Sequence, residues 1–280
     1  MLYFVTGTTA SGKSLLAHKL AKKRSMKIIS MDSMAVYKGL NVLSDTPSIL
    51  MQNEVKYYGI DIVNPSTNFS VFNYIEYLIN QKINKLSLKE NFLVVGGTGL
   101  YFNSLVDNYK FRSVNEKYRK NLETLTLEEL QDIFININIQ DETIDQSNKR
   151  RLIRAIESAN KDNINETYTF SMPDDIVGIF WDNPSVETNI TKRTEIMLQK
   201  GLIDEVLKIK NPNRTIKQAI GYKEITGNMD ENIIKDEINR KTNKLVKKQK
   251  TWFKKIPKLK YMNTSNPKDI EIEIEAIIDG

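Results

Sequence analysis

The sequence lacks cysteine and contains a single histidine, His18, among its 280 residues. Without cysteine, the protein has no disulfide bonds and no thiolate metal sites. His18 falls on a predicted helix, where we expect its side chain to face solvent. A metal cluster of several histidines and a histidine-based triad are also excluded. Long apolar runs are missing too, since no segment reaches the length of a membrane-spanning helix.

We also expect no export signal, because a predicted strand begins almost at once and leaves no room for a signal peptide. We therefore expect a cytoplasmic protein that does not bind membranes, and we expect it to be a monomer. Apolar residues make up 40% of the sequence and charged residues 27%, which is typical of a globular protein with one large domain.

Acidic residues are absent from one long segment, Arg240–Lys260, which contains ten lysine and arginine residues. This segment carries more positive charge than the net +6 of the whole chain. A helix face that is merely solvated usually mixes both signs of charge. The segregation therefore favours a binding surface for a polyanion, with nucleic acid as the preferred candidate.

A phosphate-binding loop is the clearest motif that is present, because residues 7–14 read G-x-x-x-x-G-K-[ST]. The apolar run Leu2–Thr6 before it predicts a buried strand, and apolar residues after it recur at helical spacing. Strand, loop and helix are the context that this motif requires, so a chance glycine turn is the less favoured interpretation. The loop consists of Gly7, Thr8, Thr9, Ala10, Ser11, Gly12, Lys13 and Ser14.

The chemistry of this loop follows from its residue types. Glycines let successive backbone N–H groups surround an anion, and the helix N-terminus adds a partial positive charge. Lys13 can reach terminal phosphates, and the Ser14 hydroxyl can bind Mg²⁺. The motif predicts a bound phosphate group, but it identifies neither the molecule that carries the phosphate nor the bond that breaks.

Two further predicted strands, Lys27–Met31 and Asn91–Val95, end in residues suited to binding a ligand. Ligands bind at the carboxyl ends of parallel strands, so Asp32 and the turn Gly96–Gly99 are expected near the phosphate loop. Asp32 is a candidate general base, a residue that assists Mg²⁺ binding, or a helix N-cap. Thr98 is a candidate ligand contact or an N-cap. The second of these strands does not end in the aspartate of an ordinary ATPase, which weakens that interpretation.

The order of these elements predicts an α/β fold: a P-loop NTPase-like parallel sheet flanked by helices, with a small helical insertion domain. We place the core in residues 1–111 and 170–280, with a fourth strand at Ile176–Trp181, and the insertion in residues 112–169. A long C-terminal helix follows. Its buried seam is predicted at the near-heptad positions Ile234, Ile238, Leu245 and Trp252.

Seven short segments, spread in order over nearly the whole chain, form a specific signature. They are Ile29–Ser33, Val36–Gly39, Ile60–Ile62, Gly96–Tyr101, Arg151–Glu157, Gly221–Lys223 and Lys247–Phe253. Together with the phosphate loop, they resemble the tRNA dimethylallyltransferase family, whose members add an isopentenyl-type group to an adenine next to the anticodon.

The resemblance implies roles for individual residues. The loop Gly7–Ser14 would bind the diphosphate of dimethylallyl diphosphate rather than ATP, together with Mg²⁺, which Ser14 would contact. Asp32 would accept the proton of the adenine N6. Thr98 would hydrogen-bond near the bridging oxygen or the adenine amine, and Arg193 would neutralise the diphosphate.

The resemblance also implies that the protein binds the anticodon stem-loop of tRNA. The segments involved lie after the second strand, in the insertion, before the C-terminal helix and on that helix. The implied contact residues are Asp32, Ser33, Met34, Ala35, Thr98, Arg119, Arg150, Arg151, Arg154, Gln218, Gly221, Tyr222, Lys223, Lys244, Lys247, Lys248 and Gln249.

The sequence departs from the family pattern at four places, while the residues assigned to the chemistry are retained. The usual Gly-Thr-Ala-Lys-Pro stretch is Leu43–Pro47 here, which removes its lysine. The family often has a second arginine one turn before Arg193, where this chain has Asn189. It also has an arginine in the C-terminal motif, where this chain has Asn243. The His-Pro-Asn-Asp element of the insertion is Asp145–Asn148.

Three other functions would use some of the same features. A small-molecule kinase of the nucleoside-monophosphate type shares the strand, loop and helix, but it needs an arginine-rich lid and gains nothing from the basic C-terminal segment. A prenyltransferase acting on free adenine nucleotides would share the chemistry without the RNA. A non-catalytic RNA-binding module that kept a phosphate loop would bind RNA and form no product.

Overall fold

The computed structural model describes residues 1–83, 90–106, 110–112, 115–137, 144–159, 167–169, 177–225 and 230–280. The chain divides into two compact units. The first unit consists of Met1–Asn108 and Ser171–Gly280, and the second is the segment Tyr109–Phe170.

The first unit is built on a six-stranded parallel sheet in the order β3-β2-β4-β1-β7-β8. The predicted α/β fold with a parallel sheet flanked by helices is confirmed. In chain order, the strands of both units are β1 (Leu2–Gly7), β2 (Lys27–Met31), β3 (Tyr57–Tyr58), β4 (Phe92–Gly96), β5 (Lys110–Arg112), β6 (Thr167–Thr169), β7 (Val177–Asp182) and β8 (Lys260–Asn263).

The strands that the apolar runs predict are the four inner strands of this sheet. The observed bounds lie within one residue of the predicted ones, and Ile176 lies outside the described residues. The two edge strands were not predicted. β3 is only two residues long, and the side chains of β8 are mostly exposed, so neither strand has a continuous apolar pattern.

Helices cover the sheet and form most of the remaining structure. In the first unit they are α1 (Lys13–Lys23), α2 (Ile49–Glu54), α3 (Val71–Asn80), α4 (Gly99–Val106), α8 (Val186–Gln199), α9 (Leu202–Leu207), α10 (Arg214–Lys217), α11 (Tyr222–Ile225), α12 (Glu231–Phe253) and α13 (Pro267–Asp279). In the second unit they are α5 (Glu116–Thr124), α6 (Leu127–Asn136) and α7 (Lys149–Ala159). Among the described residues, no helix is both long and apolar enough to cross a membrane.

The central strand β1 is buried on both faces, and different side chains cover each face. On one face, Tyr3 and Val5 pack in a cluster with residues of α1 and α13. On the other face, the ring centroid of Phe4 lies 5.1 Å from that of Phe102 in α4. The ring centroid of Phe102 lies 5.4 Å from that of Phe253. These edge-to-face contacts fasten the end of α12 to the sheet.

The buried seam of α12 differs from the prediction. Ile234 and Ile238 are buried as expected, but Leu245 is only half-buried and 43% of Trp252 is exposed. A single straight helix follows a period of 3.6 residues, so a seven-residue repeat drifts off its buried face. The buried residues of α12 are Ile234, Ile238, Thr242, Val246, Gln249 and Phe253.

His18 is buried, and the prediction that it faces solvent is wrong. Its Nδ1 lies 2.9 Å from the hydroxyl of Tyr57, and its Nε2 lies 3.1 Å from Oε2 of Glu54. Both partners are more than 30 residues away in the sequence, so helical position alone did not indicate that this face of α1 is covered.

In its described residues, the second unit combines three helices with a short antiparallel strand pair, β5 and β6. Its core includes Leu122, Leu130 and Phe134, together with Leu152 and Ile156 of α7. The strand pair was not predicted, because three-residue strands carry too short a pattern to be recognised.

Candidate active site

The phosphate loop connects β1 to α1 in a conformation that its residue types allow. Gly12 has a φ of 98° and Ala10 a φ of 60°, both in the left-handed region. A Cβ on Gly7 would lie 2.7 Å from the carbonyl oxygen of Trp181 in β7. Glycine is therefore required at Gly7 by close packing and at Gly12 by backbone conformation.

Three side-chain amides hold the loop from outside. The Asn183 amide donates to the carbonyl of Ser11 at 3.1 Å, and the Asn189 amide donates to the carbonyl of Ala10 at 3.1 Å. Gln249 of α12 accepts a hydrogen bond from the backbone N–H of Thr9 at 2.9 Å. Asn189, where the family often has arginine, thus stabilises the loop itself.

Gln249 also joins the phosphate loop to the second glycine turn. Its amide nitrogen donates to the carbonyl of Gly97 at 3.0 Å, while its Oε1 accepts from Thr9. A Cβ on Gly97 would lie 2.4 Å from that nitrogen. Both ends of the Gln249 side chain therefore bind backbone, a bridging role that the sequence did not reveal.

Lys13 has an unusual environment for a lysine. Its ammonium donates to the carbonyl of Thr8 at 3.0 Å. Burial lowers the pKa of Lys13 to about 8, against the opposing effects of Asp32 and Asp45 and with a further lowering by Arg193. Two cations and two carboxylates thus act on one another around the loop, and a bound anion would favour the charged form of Lys13.

We expect the affinity for diphosphate to fall as the pH rises from about 7 to about 9.5, because Lys13 loses its proton near pH 8 in the free protein. Binding should therefore take up a proton at alkaline pH. Titration calorimetry with pyrophosphate in two buffers of different ionisation enthalpy measures that uptake. Lys13→Arg stays charged and should flatten the profile, while equal profiles for both proteins would show that Lys13 is not the titrating group.

Asp32 follows β2 and begins a turn rather than a helix. Its Oδ1 accepts the backbone N–H of Met34 at 2.8 Å, and residues 33–36 form turns. The helix N-cap alternative for Asp32 is therefore wrong. No hydrogen bond from the described part of the chain reaches Oδ2, so this oxygen can accept a proton from a ligand.

Asp32 faces a cavity of about 350 Å³ at the carboxyl ends of the strands. The cavity brings together Lys13, Thr98 and Arg193, which the sequence analysis singled out separately. Other implied contact residues that line it are Ser33, Met34, Lys248 and Gln249. Thr98 thus lies at the cavity wall, just before α4 begins at Gly99.

A second cavity, of about 600 Å³, lies along the phosphate loop. Ser14, Asp45 and Asn189 line it, and Lys13, Asp32 and Arg193 line both cavities. These three side chains can therefore contact ligands in either cavity.

Asp45 is a member of this group that sequence reasoning missed as a site residue. Its Oδ2 lies 3.0 Å from Nε of Arg193, and its φ of 53° is in the left-handed region that aspartate and asparagine tolerate. The Asp45–Arg193 ion pair therefore places a carboxylate beside the arginine expected to neutralise the diphosphate.

The basic segment Arg240–Lys260, which begins in α12 and ends at the start of β8, carries less unpaired charge than the sequence indicates. Within the described part of the chain, four of its ten basic residues are ion-paired with acidic residues: Arg240 with Glu237, Lys241 with Glu224, Lys250 with Asp182 and Lys260 with Glu273. Lys244, Lys247 and Lys248 are exposed. These three lysines, all implied tRNA contacts, remain the best candidates for pairing with phosphates.

The segment Gln218–Lys223, which precedes α12, also has a structural role. Gly221 has a φ of 99°, and a Cβ there would lie 2.5 Å from Cδ1 of Leu43. Its N–H donates to Oε2 of Glu224 at 2.6 Å. The neighbouring implied contacts are Gln218, which ends α10, and Tyr222 and Lys223, which begin α11.

In the second unit, most of the implied RNA-binding arginines have acidic neighbours. The Nη1 atoms of Arg119 and Arg154 lie 3.6 Å and 3.5 Å, respectively, from Oε2 of Glu157. Nη1 of Arg151 lies 3.7 Å from Oδ2 of Asp145. Arg150 is exposed at the start of α7. The structure thus leaves these residues available at helix surfaces, with Glu157 ordering two of them.

A family model for IPP transferase matches residues 35–256, most of the chain. The chain belongs to the IPP transferase family. A relative from Finegoldia magna named tRNA dimethylallyltransferase is 33% identical over 98% of the chain and 94% of its own length. One from Syntrophomonas wolfei with the same name is 29% identical, with the same coverage.

Solved structures agree with this assignment to the IPP transferase family. The crystal structure of the full-length tRNA isopentenylpyrophosphate transferase of Bacillus halodurans has a TM-score of 0.67 and 27% identity, covering 99% of this chain and 96% of that one. A eukaryotic dimethylallyltransferase acting on tRNA has a TM-score of 0.70 at 20% identity, covering 94% of this chain and 73% of that one, and shows the shared fold.

Proposed function

We propose that this IPP transferase family member transfers a dimethylallyl group from dimethylallyl diphosphate to N6 of an adenine next to the anticodon of a tRNA, releasing diphosphate. The observation that carries the proposal is the meeting of Lys13, Arg193 and Asp32 between two cavities. Cations bind the diphosphate, and a carboxylate with an unpaired oxygen faces the nucleophile. The names of the relatives agree with this substrate pair.

The loop residues bind and stabilise the leaving group. As the allylic C–O bond breaks, negative charge grows on the bridging oxygen of the diphosphate. Lys13, Arg193 and the backbone N–H groups of the loop interact more strongly with that charge than with the ground state. The hydroxyls of Thr8 and Ser11 are buried and have no hydrogen-bond partner among the described residues. Buried polar groups are normally hydrogen-bonded, so these hydroxyls are available to a ligand in the loop.

Asp32 activates the nucleophile. The lone pair of an adenine amine is delocalised into the ring, so the amine attacks poorly until a base accepts its proton. Oδ2 of Asp32 takes this proton, while Oδ1 stays bound to Met34 and keeps the side chain oriented. Thr98, on the same cavity wall, orients the amine or the bridging oxygen. The adenine must leave its stack to enter the cavity.

Mg²⁺ fits this site only together with the diphosphate. The described residues contain no cluster of three carboxylate or histidine side chains that would hold a metal ion alone. The exposed hydroxyl of Ser14 lines the same cavity as Lys13, as in phosphate loops that hold a metal–phosphate complex. When bound, the ion would neutralise charge on the departing diphosphate.

The decisive experiment is mass spectrometry of nucleosides from tRNA incubated with the protein and dimethylallyl diphosphate. We expect one prenylated adenosine per tRNA, with less product from an isolated anticodon stem-loop and none from free AMP or ATP. Product from free nucleotides alone would assign the protein to the alternative class of prenyltransferases. Phosphoryl transfer from labelled ATP to nucleoside monophosphates would assign it to the kinases.

Asp45→Asn is expected to tighten diphosphate binding about fivefold, because the carboxylate competes with the diphosphate for Arg193 in a partly exposed ion pair. Asparagine tolerates the left-handed backbone at this position. Titration with pyrophosphate measures the change, and Asp236→Asn on the exposed face of α12 is the matched control. Weaker binding would show that Asp45 positions Arg193 instead of competing for it.

A further inference from the structure

Trp252 is exposed yet held in one orientation. Its indole N–H donates to Oδ1 of Asn103 at 2.9 Å. Its ring lies directly over Gly99, where a Cβ would come within 2.4 to 2.6 Å of three ring atoms. Since 43% of Trp252 remains exposed, the protein presents a large aromatic surface that is already fixed before any ligand arrives.

This ring forms part of a groove between α4 and the end of α12. The groove has a volume of about 860 Å³, and Asn103, Val106 and Trp252 line it with Lys247, Lys248 and Lys255. Within the described part of the chain, no ion pair neutralises these three lysines. The groove is thus apolar and aromatic at its base and positively charged at its rim.

The groove adjoins the reaction cavity. Trp252 and Lys248 line both, so the indole and this lysine form the partition between them. Neighbouring nucleotides of a single strand are linked by one phosphodiester. A strand whose target base enters the reaction cavity therefore places the next nucleotide close to this partition.

We propose that the groove binds an unpaired nucleotide that flanks the target adenine, with its base stacked on Trp252 and its phosphates paired with Lys247, Lys248 and Lys255. This inference rests on the proposed function. Single-stranded RNA is commonly bound by a fixed aromatic side chain beside a positively charged track. The positive rim complements phosphates, and continuity with the reaction cavity selects RNA of the substrate over other anionic partners.

The two tryptophans of the chain provide a direct test by fluorescence. Trp181 is buried, so Trp252 is the one able to contact a base. We expect an anticodon stem-loop, added without diphosphate, to quench the fluorescence of the wild-type protein. Trp252→Phe should bind with similar affinity because phenylalanine also stacks, but its remaining fluorescence should not change. Undiminished quenching in Trp252→Phe would overturn the inference.

Affinity measurements with altered RNA form the second part of the test. Stem-loops that lack the base at one or the other nucleotide flanking the target adenine remove the stacking partner but keep the phosphates. Trp252→Ala is expected to lose about tenfold in affinity for the intact stem-loop and nothing for one of these abasic RNAs. An equal loss on all three RNAs would overturn the inference, because it would indicate a general disturbance of the surface.

Prenyl product from the intact stem-loop, measured in parallel with the wild-type protein, separates the two proposals. If no prenyl product forms but the fluorescence quenching depends on the flanking base, the proposed function is contradicted and the stacking site is supported. If product forms but neither quenching nor affinity depends on the flanking base, the proposed function is supported and the stacking site is contradicted.

Discussion

Asp32→Asn is expected to reduce the rate of prenyl transfer by about 100- to 10,000-fold while leaving the affinities for tRNA and diphosphate nearly unchanged. Asparagine retains an oxygen that accepts the N–H of Met34, so the turn after β2 is preserved. It cannot accept a proton from the adenine amine. The substitution therefore isolates the proton transfer from the geometry of the site.

Single-turnover measurements at saturating RNA and dimethylallyl diphosphate test this expectation, since they report the chemical step alone. Asp236→Asn makes the same chemical change on an exposed face of α12 and should retain the wild-type rate. A rate for Asp32→Asn within threefold of wild type would remove Asp32 from the role of base. Loss of RNA binding would instead assign it to substrate positioning.

Gln249→Met is expected to lower the free energy of unfolding by about 2 to 4 kcal/mol, because it leaves two backbone groups without their partners. The N–H of Thr9 and the carbonyl of Gly97 both lose a hydrogen bond at a partly buried position. The same change releases the phosphate loop from the second glycine turn. Prenyl transfer should therefore fall more than tenfold even where the protein remains folded.

Urea unfolding measures the change in stability, and activity is compared at a temperature where circular dichroism shows that the variant is folded. Gln131→Met is the matched control, because Gln131 makes one exposed hydrogen bond to the carbonyl of Gln146. Gln131→Met should lower the free energy of unfolding by less than about 1 kcal/mol. An unchanged urea midpoint for Gln249→Met would mean that its two hydrogen bonds contribute nothing to the fold.

The inner strands and the phosphate loop could be predicted because short-range patterns encode them. A continuous apolar run indicates a strand buried on both faces, and β1, β2, β4 and β7 all have one. The edge strand β8 begins at the last residue of the basic segment and exposes most of its side chains. Its pairing with β7 stabilises it, and no local sequence pattern reports that pairing.

Topology accounts for the positions of two predicted site residues. Asp32 and Thr98 follow parallel strands, and such strands bring their carboxyl ends to one edge of the sheet. The importance of Arg193 came from resemblance alone, and the structure places it beside Lys13. Asp45 was not predicted, because its partner Arg193 is 148 residues away.

By itself, the sequence determined the α/β architecture and the phosphate-loop motif between its first strand and first helix, and it predicts a polyanion-binding surface on the basic C-terminal segment. Periodicity, glycine conformation and charge are properties of neighbouring residues, so they are visible along the chain. Only the tertiary structure decided that Gln249 ties the phosphate loop to Gly97 and that Trp252 lies fixed over Gly99. These contacts join residues about 150 to 240 positions apart, and their partners are selected by how the helices pack on the sheet.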